Sequence, residues 1–161
     1  MRALWLLCAL LLCSAGAQAL SGVVTRVSDG DTLWVRPEGG KPVKVRLHGI
    51  DAPERCQPWG SQARAALAAR VLHRPVHVRT RAHDNYHRTV GSLELNGEDI
   101  AAWMVREGHA WSDPYRRSRG PYAAQEQQAR AARRGLFGQP AVEPRVFRKS
   151  HGPCAAPLTS Q

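Results

Sequence analysis

Ser28-Asp29-Gly30-Asp31-Thr32 sets an acidic turn between two apolar runs, Val23-Val24 with Val27 on one side and Leu33-Trp34-Val35 on the other. Asp-Gly in such a setting is a hairpin signal: Gly30 tolerates the positive φ of a tight turn, and Asp29 can bond back to its own backbone. Two antiparallel strands are predicted, over 21–27 and 31–36, with Asp31 at the mouth of the hairpin. Alone, an Asp-Gly turn with a spare aspartate is only a hairpin. Its chemical meaning comes from Arg46, from Asp51-Ala52-Pro53-Glu54 and from Tyr86-His87-Arg88. Carboxylates and arginines at strand ends of a basic chain suggest metal-assisted attack on phosphodiesters.

A second turn at 37–42 leads into Val43, Val45 and Leu47, which alternate with Lys44, Arg46 and His48 in the period-two pattern of a strand with one buried face. Arg46 falls on its polar side. Pro53 forbids a helix at Ala52 and holds the two neighbouring carboxylates on an extended turn. Ala63, Ala66, Leu67 and Val71 mark one face of a helix over 59–73, stopped by Pro75. A fourth strand is predicted at 76–79, a polar loop at 81–88, and a fifth strand at 89–95 turning at Asn96-Gly97. Ile100, Trp103, Met104 and Glu107 give a second helix closed by Gly108. Gly120-Pro121 opens a third, ended by Gly135. Five short strands with a helix between the third and fourth suggest an α+β, mainly β chain built on the five-stranded OB-fold barrel with three helices.

Before the first strand, Met1-Arg2, the apolar run from Leu4 to Leu12 and Ala17-Gln18-Ala19 read as a secretory signal peptide over 1–19. The expectation is a periplasmic or secreted protein, monomeric and without membrane association once the leader is removed. Taking 19 residues from 161 leaves 142, one domain's worth: a barrel domain over 20–138 and a tail over 139–161 rich in Pro, Ser and Gly. Lys and Arg number 23 against 13 Asp and Glu, and twenty of the 23 are arginine. That surplus favours a polyanionic partner, and arginine forks onto phosphate oxygens as lysine cannot. Cys8 and Cys13 lie in the leader, so the exported chain keeps Cys56 and Cys154. In an oxidising compartment they are expected to pair and pin the tail; two free thiols are the alternative.

Asp29-Gly30-Asp31-Thr32, Val45-Arg46-Leu47, Ile50-Asp51-Ala52-Pro53-Glu54 and Asp84-Asn85-Tyr86-His87-Arg88, in this order, resemble the staphylococcal nuclease family over roughly residues 21 to 138. The resemblance implies an OB-fold enzyme that cleaves DNA and RNA with calcium and leaves 3′-phosphate ends. It implies calcium ligands at Asp31, Asp51 and the carbonyl of Ala52, catalytic roles for Arg46, Arg88 and Glu54, and substrate contacts from Asn85, Tyr86 and Tyr115, with Tyr122 as a stand-in for Tyr115. His87 stands where the family has Gly, and a side chain there restricts the loop that aims Arg88.

The residue chemistry leads the same way. Calcium takes six to eight oxygens, so carboxylates, a carbonyl and water suffice. Two arginines can meet the charge that grows on phosphorus. A non-catalytic nucleic-acid-binding barrel is the alternative reading. Histidine metal ligands, from His83 with His87 or His73 with His77, are a weaker one, since Pro75 breaks any helix joining the second pair.

Overall fold

Val45 and Leu47 are fully buried while Lys44 and Arg46 beside them are not, the pattern of a strand facing a closed core. The computed structural model describes residues 19–152 and 154; residues 1–18, which fall in the segment expected to be a signal peptide, lie outside them. The elements run β1 (Ala19–Val27), β2 (Thr32–Arg36), β3 (Val43–Leu47), β4 (Ile50–Asp51), α1 (Gly60–Val71), β5 (Pro75–His83), β6 (Thr89–Leu95), β7 (Glu98–Asp99), α2 (Ile100–Arg106), β8 (Trp111–Ser112) and α3 (Ala123–Ala131). A 3-10 turn at Gly135–Gly138 and α4 (Pro144–His151) follow.

The main sheet runs β3-β2-β1-β5-β6-β7, and β3 also pairs in parallel with β6, so five strands close into a barrel. This is the expected OB-fold. Register breaks between Val24 and Arg26 in β1 and between Thr80 and Ala82 in β5 supply the bends that closure needs. The inward side chains Val24, Leu33, Val35, Val45, Val78 and Leu93 meet Leu67 and Val71 of α1 and Ile100 and Met104 of α2 in one core. The apolar stripe of α1 and the alternation of the strands had marked these faces.

Four expectations change. Gly30 is not in the left-handed region; it is required because a Cβ there would come within 2.7 Å of the Ala52 Cβ and 2.9 Å of the Ala63 Cβ. β5 continues to His83, through residues read as loop, because its backbone groups pair with β6 as far as Thr89. α3 starts at Ala123 rather than at Pro121: the Tyr122 N–H donates to Ser112 Oγ and its hydroxyl to Asp99, which holds this turn out of the helix. At its other end Arg133 adopts φ 51°, stopping the helix before Gly135. Finally, among the described residues there are four helices rather than three. α4 lies in the segment read as a tail, where buried Pro144 and Phe147 and the Cys56–Cys154 disulfide, 98 residues apart, dock it.

Candidate active site

The barrel's pairings bring the site together. Thr32 pairs with Arg46, so Asp31, one residue before β2, sits beside that arginine. Closure pairs Val45 with Thr89 and Arg46 with Val90, so Arg88, immediately before β6, arrives at the same barrel end. β4 pairs with β8 and carries Asp51 there as well. Gly60, at the start of α1, lies so close to the Glu54 carbonyl that no side chain fits, which seats the Asp51–Glu54 turn against α1.

Asp31, Arg46, Asp51, Glu54, Arg88 and Ala52 line one cleft of about 360 Å³. Arg46 spans both aspartates, with Nη1 2.9 Å from Asp31 Oδ2 and Nη2 3.3 Å from Asp51 Oδ1. Asp31 is held further by the N–H of Ala52, which donates to its Oδ2 at 3.1 Å, and by the Thr32 hydroxyl, which donates to its Oδ1 at 2.9 Å. Burial would push the Arg46 guanidinium down, but the charges of Asp31 and Asp51 together outweigh it and raise it. Burial pushes Asp51 up, and Arg148 and Arg46 pull it back. Asp29, whose Oδ1 accepts the Asp31 N–H at 3.1 Å, is pushed up to about 7 by burial, with the Asp31 charge adding to it. Arg46, on the polar side of β3, is therefore a largely buried bridge between two carboxylates.

Arg88 is aimed by Asp84. One carboxylate oxygen accepts the N–H groups of Tyr86 (2.9 Å) and Arg88 (3.0 Å), and the other accepts Arg88 Nε at 2.6 Å. The guanidinium lies 5.2 Å from the centre of the Tyr86 ring. His87, between them, has φ 56°, the left-handed conformation that favours glycine. A second cleft of about 610 Å³ adjoins the first, sharing Arg46, Tyr86 and Arg88 and adding Asn85 and Tyr115. Tyr86 and Tyr115 are 77% and 69% exposed, so their rings are open to a ligand. Tyr122 is not a stand-in: it is buried, and its hydroxyl donates to Asp99 at 2.9 Å.

Two contributors escaped the sequence reading. Asp84 has a legible signal, an acid four residues before the arginine it orients. Arg148 has none, since it comes from α4. Its Nη1 donates to Glu54 Oε1 at 2.8 Å and to Asp51 Oδ1 at 3.2 Å, and its Nη2 to Asp51 Oδ2 at 3.0 Å.

Among the described residues no group of three or more His, Cys, Asp or Glu side chains is poised to hold a metal. The donors within the cleft are hard oxygens, Asp31 and Asp51 bridged by a single guanidinium, with backbone and Glu54 beside them. Such a set fits a calcium-like ion completed by water, and suits soft metals poorly. His83 instead ends β5 with Nδ1 3.5 Å from Thr89 Oγ1.

A barrel end carrying paired carboxylates and converging arginines makes this an OB-fold whose cleft is chemically suited to phosphate. Comparison with known proteins narrows this. Residues 44–139 match the family described as Staphylococcal nuclease homologue. The chain is 39% identical over 161 residues to Protein ParB of Escherichia coli, covering 92% of this chain and 90% of the other. It is 39% identical over 143 residues to a micrococcal nuclease of Shigella flexneri, 80% of each chain, and 32% identical over 127 residues to an uncharacterized endonuclease of Haemophilus influenzae, 78% and 71%. The chain belongs to the staphylococcal nuclease family.

Proposed function

We propose that this chain, a nuclease by its family, is an exported calcium-dependent enzyme that hydrolyses phosphodiester bonds of DNA and RNA and leaves 3′-phosphate ends. The observation that carries the reading is the bridge made by Arg46 to both Asp31 and Asp51 in a cleft that also holds Arg88 and Tyr86. Asp31, Asp51 and the Ala52 carbonyl would hold the ion, which supplies positive charge at the phosphate and acidifies water. Arg46 and Arg88 grip phosphate oxygens and stabilise the charge that grows on them, an interaction worth roughly a hundred- to a thousandfold in rate for each donor. Glu54 orients the attacking water. Tyr86 and Tyr115 offer exposed rings on which a base can stack, and Asn85 lies beside them. The signal-like pattern over 1–19 supports export, and the Cys56–Cys154 disulfide agrees with an oxidising compartment.

The test is cleavage of denatured DNA by the chain lacking residues 1–19, with calcium, with magnesium and with chelator, beside Arg46→Ala. Calcium-dependent cutting that is lost in Arg46→Ala is expected. Undiminished cutting in excess chelator overturns the calcium mechanism. A folded protein that binds DNA and cuts in no condition is the non-catalytic binding barrel instead.

A further inference from the structure

Arg148 lies beyond the stretch 44–139 that matches the family, yet its guanidinium enters the cleft that Arg46 and Arg88 line. We propose that Arg148 is a third phosphate-contacting arginine, parked on Asp51 and Glu54 and released to the substrate when an ion and a phosphodiester enter. The inference rests on the nuclease reading above.

The first support is position. The Arg148 side chain is 42% exposed, against 19% for Arg46 and 21% for Arg88, so it is the outermost of the three guanidiniums and the one an arriving strand meets first. The second is anchoring. α4 is tied at its far end by Cys56–Cys154, seated by buried Phe147, and preceded by Val142, whose carbonyl accepts Gln57 Nε2 at 2.6 Å. The backbone is thus held at the site, and only the side-chain stem has to move. The third is charge. The oxygens that Arg148 grips belong to Asp51, assigned above to the ion, and to Glu54, assigned to the water. A divalent ion on the Asp51 oxygens repels both guanidiniums bound there; Arg46 is the more buried and is bonded also to Asp31 and the Ile50 carbonyl, so Arg148 is the one with room to leave. The anion nearest to hand is then the phosphate, whose oxygens match its planar fork as the carboxylate did.

The experiment uses the disulfide-bonded protein, Arg148→Ala and Arg148→Lys. Three quantities are read: the Kd for a thymidine dinucleotide ending in a 3′-phosphate, with calcium present; KM and kcat on denatured DNA across a salt series; and the calcium Kd without nucleic acid. The expected result is that Arg148→Ala weakens dinucleotide binding about tenfold and raises KM with kcat little changed. The log–log salt slope of its KM on denatured DNA is shallower by roughly 0.7, the value for one lost contact to a single strand, while calcium binding is no weaker. Arg148→Lys, which keeps the charge, recovers part of the affinity and remains informative if the alanine variant unfolds. Unchanged dinucleotide affinity, KM and salt slope overturn the proposal and leave Arg148 a staple between α4 and the barrel. Tighter calcium binding with unchanged dinucleotide affinity overturns it in favour of a plug over the ion site. A wild-type protein that neither cuts DNA nor binds the dinucleotide overturns the nuclease reading itself, a failure distinct from the other two.

Discussion

The Asp31 carboxylate accepts the backbone N–H of Ala52 at 3.1 Å, tying the acidic hairpin turn to the turn that carries Asp51 and Glu54, 21 residues on. Both groups are buried, so the bond serves stability as well as chemistry. Asp31→Ala leaves the Ala52 N–H without a partner, a loss of about 1–3 kcal/mol. Asp31→Asn keeps an acceptor and is expected to unfold near the wild type, yet both variants lose calcium affinity because a charged oxygen ligand is gone. Urea unfolding beside calcium titration separates the two effects, and an Asp31→Ala protein as stable as wild type would count against the tie.

Asp84 predicts a positioning effect. It holds Arg88 through the backbone N–H and through Nε, so Asp84→Ala should leave the guanidinium present but unaimed. A fall in kcat of about tenfold is expected, smaller than the hundred- to thousandfold for Arg88→Ala. His87→Gly tests the same loop from the other side. Relieving a left-handed φ of 56° favours the folded state by about 1 kcal/mol, partly offset by the greater freedom of glycine in the unfolded chain. Activity should be nearly unchanged, since Asp84 rather than residue 87 sets the direction of Arg88. A large gain in kcat for His87→Gly would show instead that the side chain at 87 restrains the loop.

The barrel was legible because its signals are local: alternation in β3 and β6, the Asn96-Gly97 turn with φ of 52° and 80°, and the small-residue stripe of α1. The candidate site was legible for a related reason. Asp31, Arg46, Asp51 and Arg88 sit at strand ends, and the pairings that close the barrel draw those ends together. Arg148 was not legible. It reaches the cleft only because α4 docks through Phe147 and a disulfide spanning 98 residues, and neither the docking face nor the pairing distance is written in local pattern. Tyr122 failed in the same way, since its choice of Asp99 over the cleft depends on how α2 and α3 pack.

His109 predicts how stability changes with pH. It lies between Trp59 and Trp103, and Trp59 Nε1 donates to its Nδ1 at 3.3 Å, a contact that requires this nitrogen to carry no proton. Burial holds the ring below its ordinary value, with Glu107 pulling weakly the other way. The unfolded chain therefore takes up the proton first as pH falls. The contribution of His109 is fully present above about 6.5 and is lost as pH drops through that value toward the folded one. Urea midpoints should fall between pH 7 and pH 5, and His109→Gln should flatten this part of the profile. An unaltered slope in that variant would assign the pH dependence to other groups.

The Cys56–Cys154 bond closes a loop of about a hundred residues, for which the chain-entropy estimate is about 4.7 kcal/mol as an upper bound. A double Cys56→Ser, Cys154→Ser protein should unfold at lower urea, and reducing agent should bring the wild type toward the same midpoint. The loss should not be uniform. The barrel keeps its closed ladder and core, whereas α4 retains Phe147, Pro144, the Arg148 bonds to Asp51 and Glu54, and the Gln57 bond to Val142. Hydrogen exchange in 144–151 should therefore rise first, while the amides of β1, β2 and β6 stay protected. Because α4 carries Arg148, freeing it should also lengthen the distance between that guanidinium and Asp51, and the double variant should reproduce much of the Arg148→Ala effect on KM. Equal exchange protection in 144–151 with and without the disulfide would mean that Phe147, Pro144 and the Arg148 ion pairs dock the helix without it.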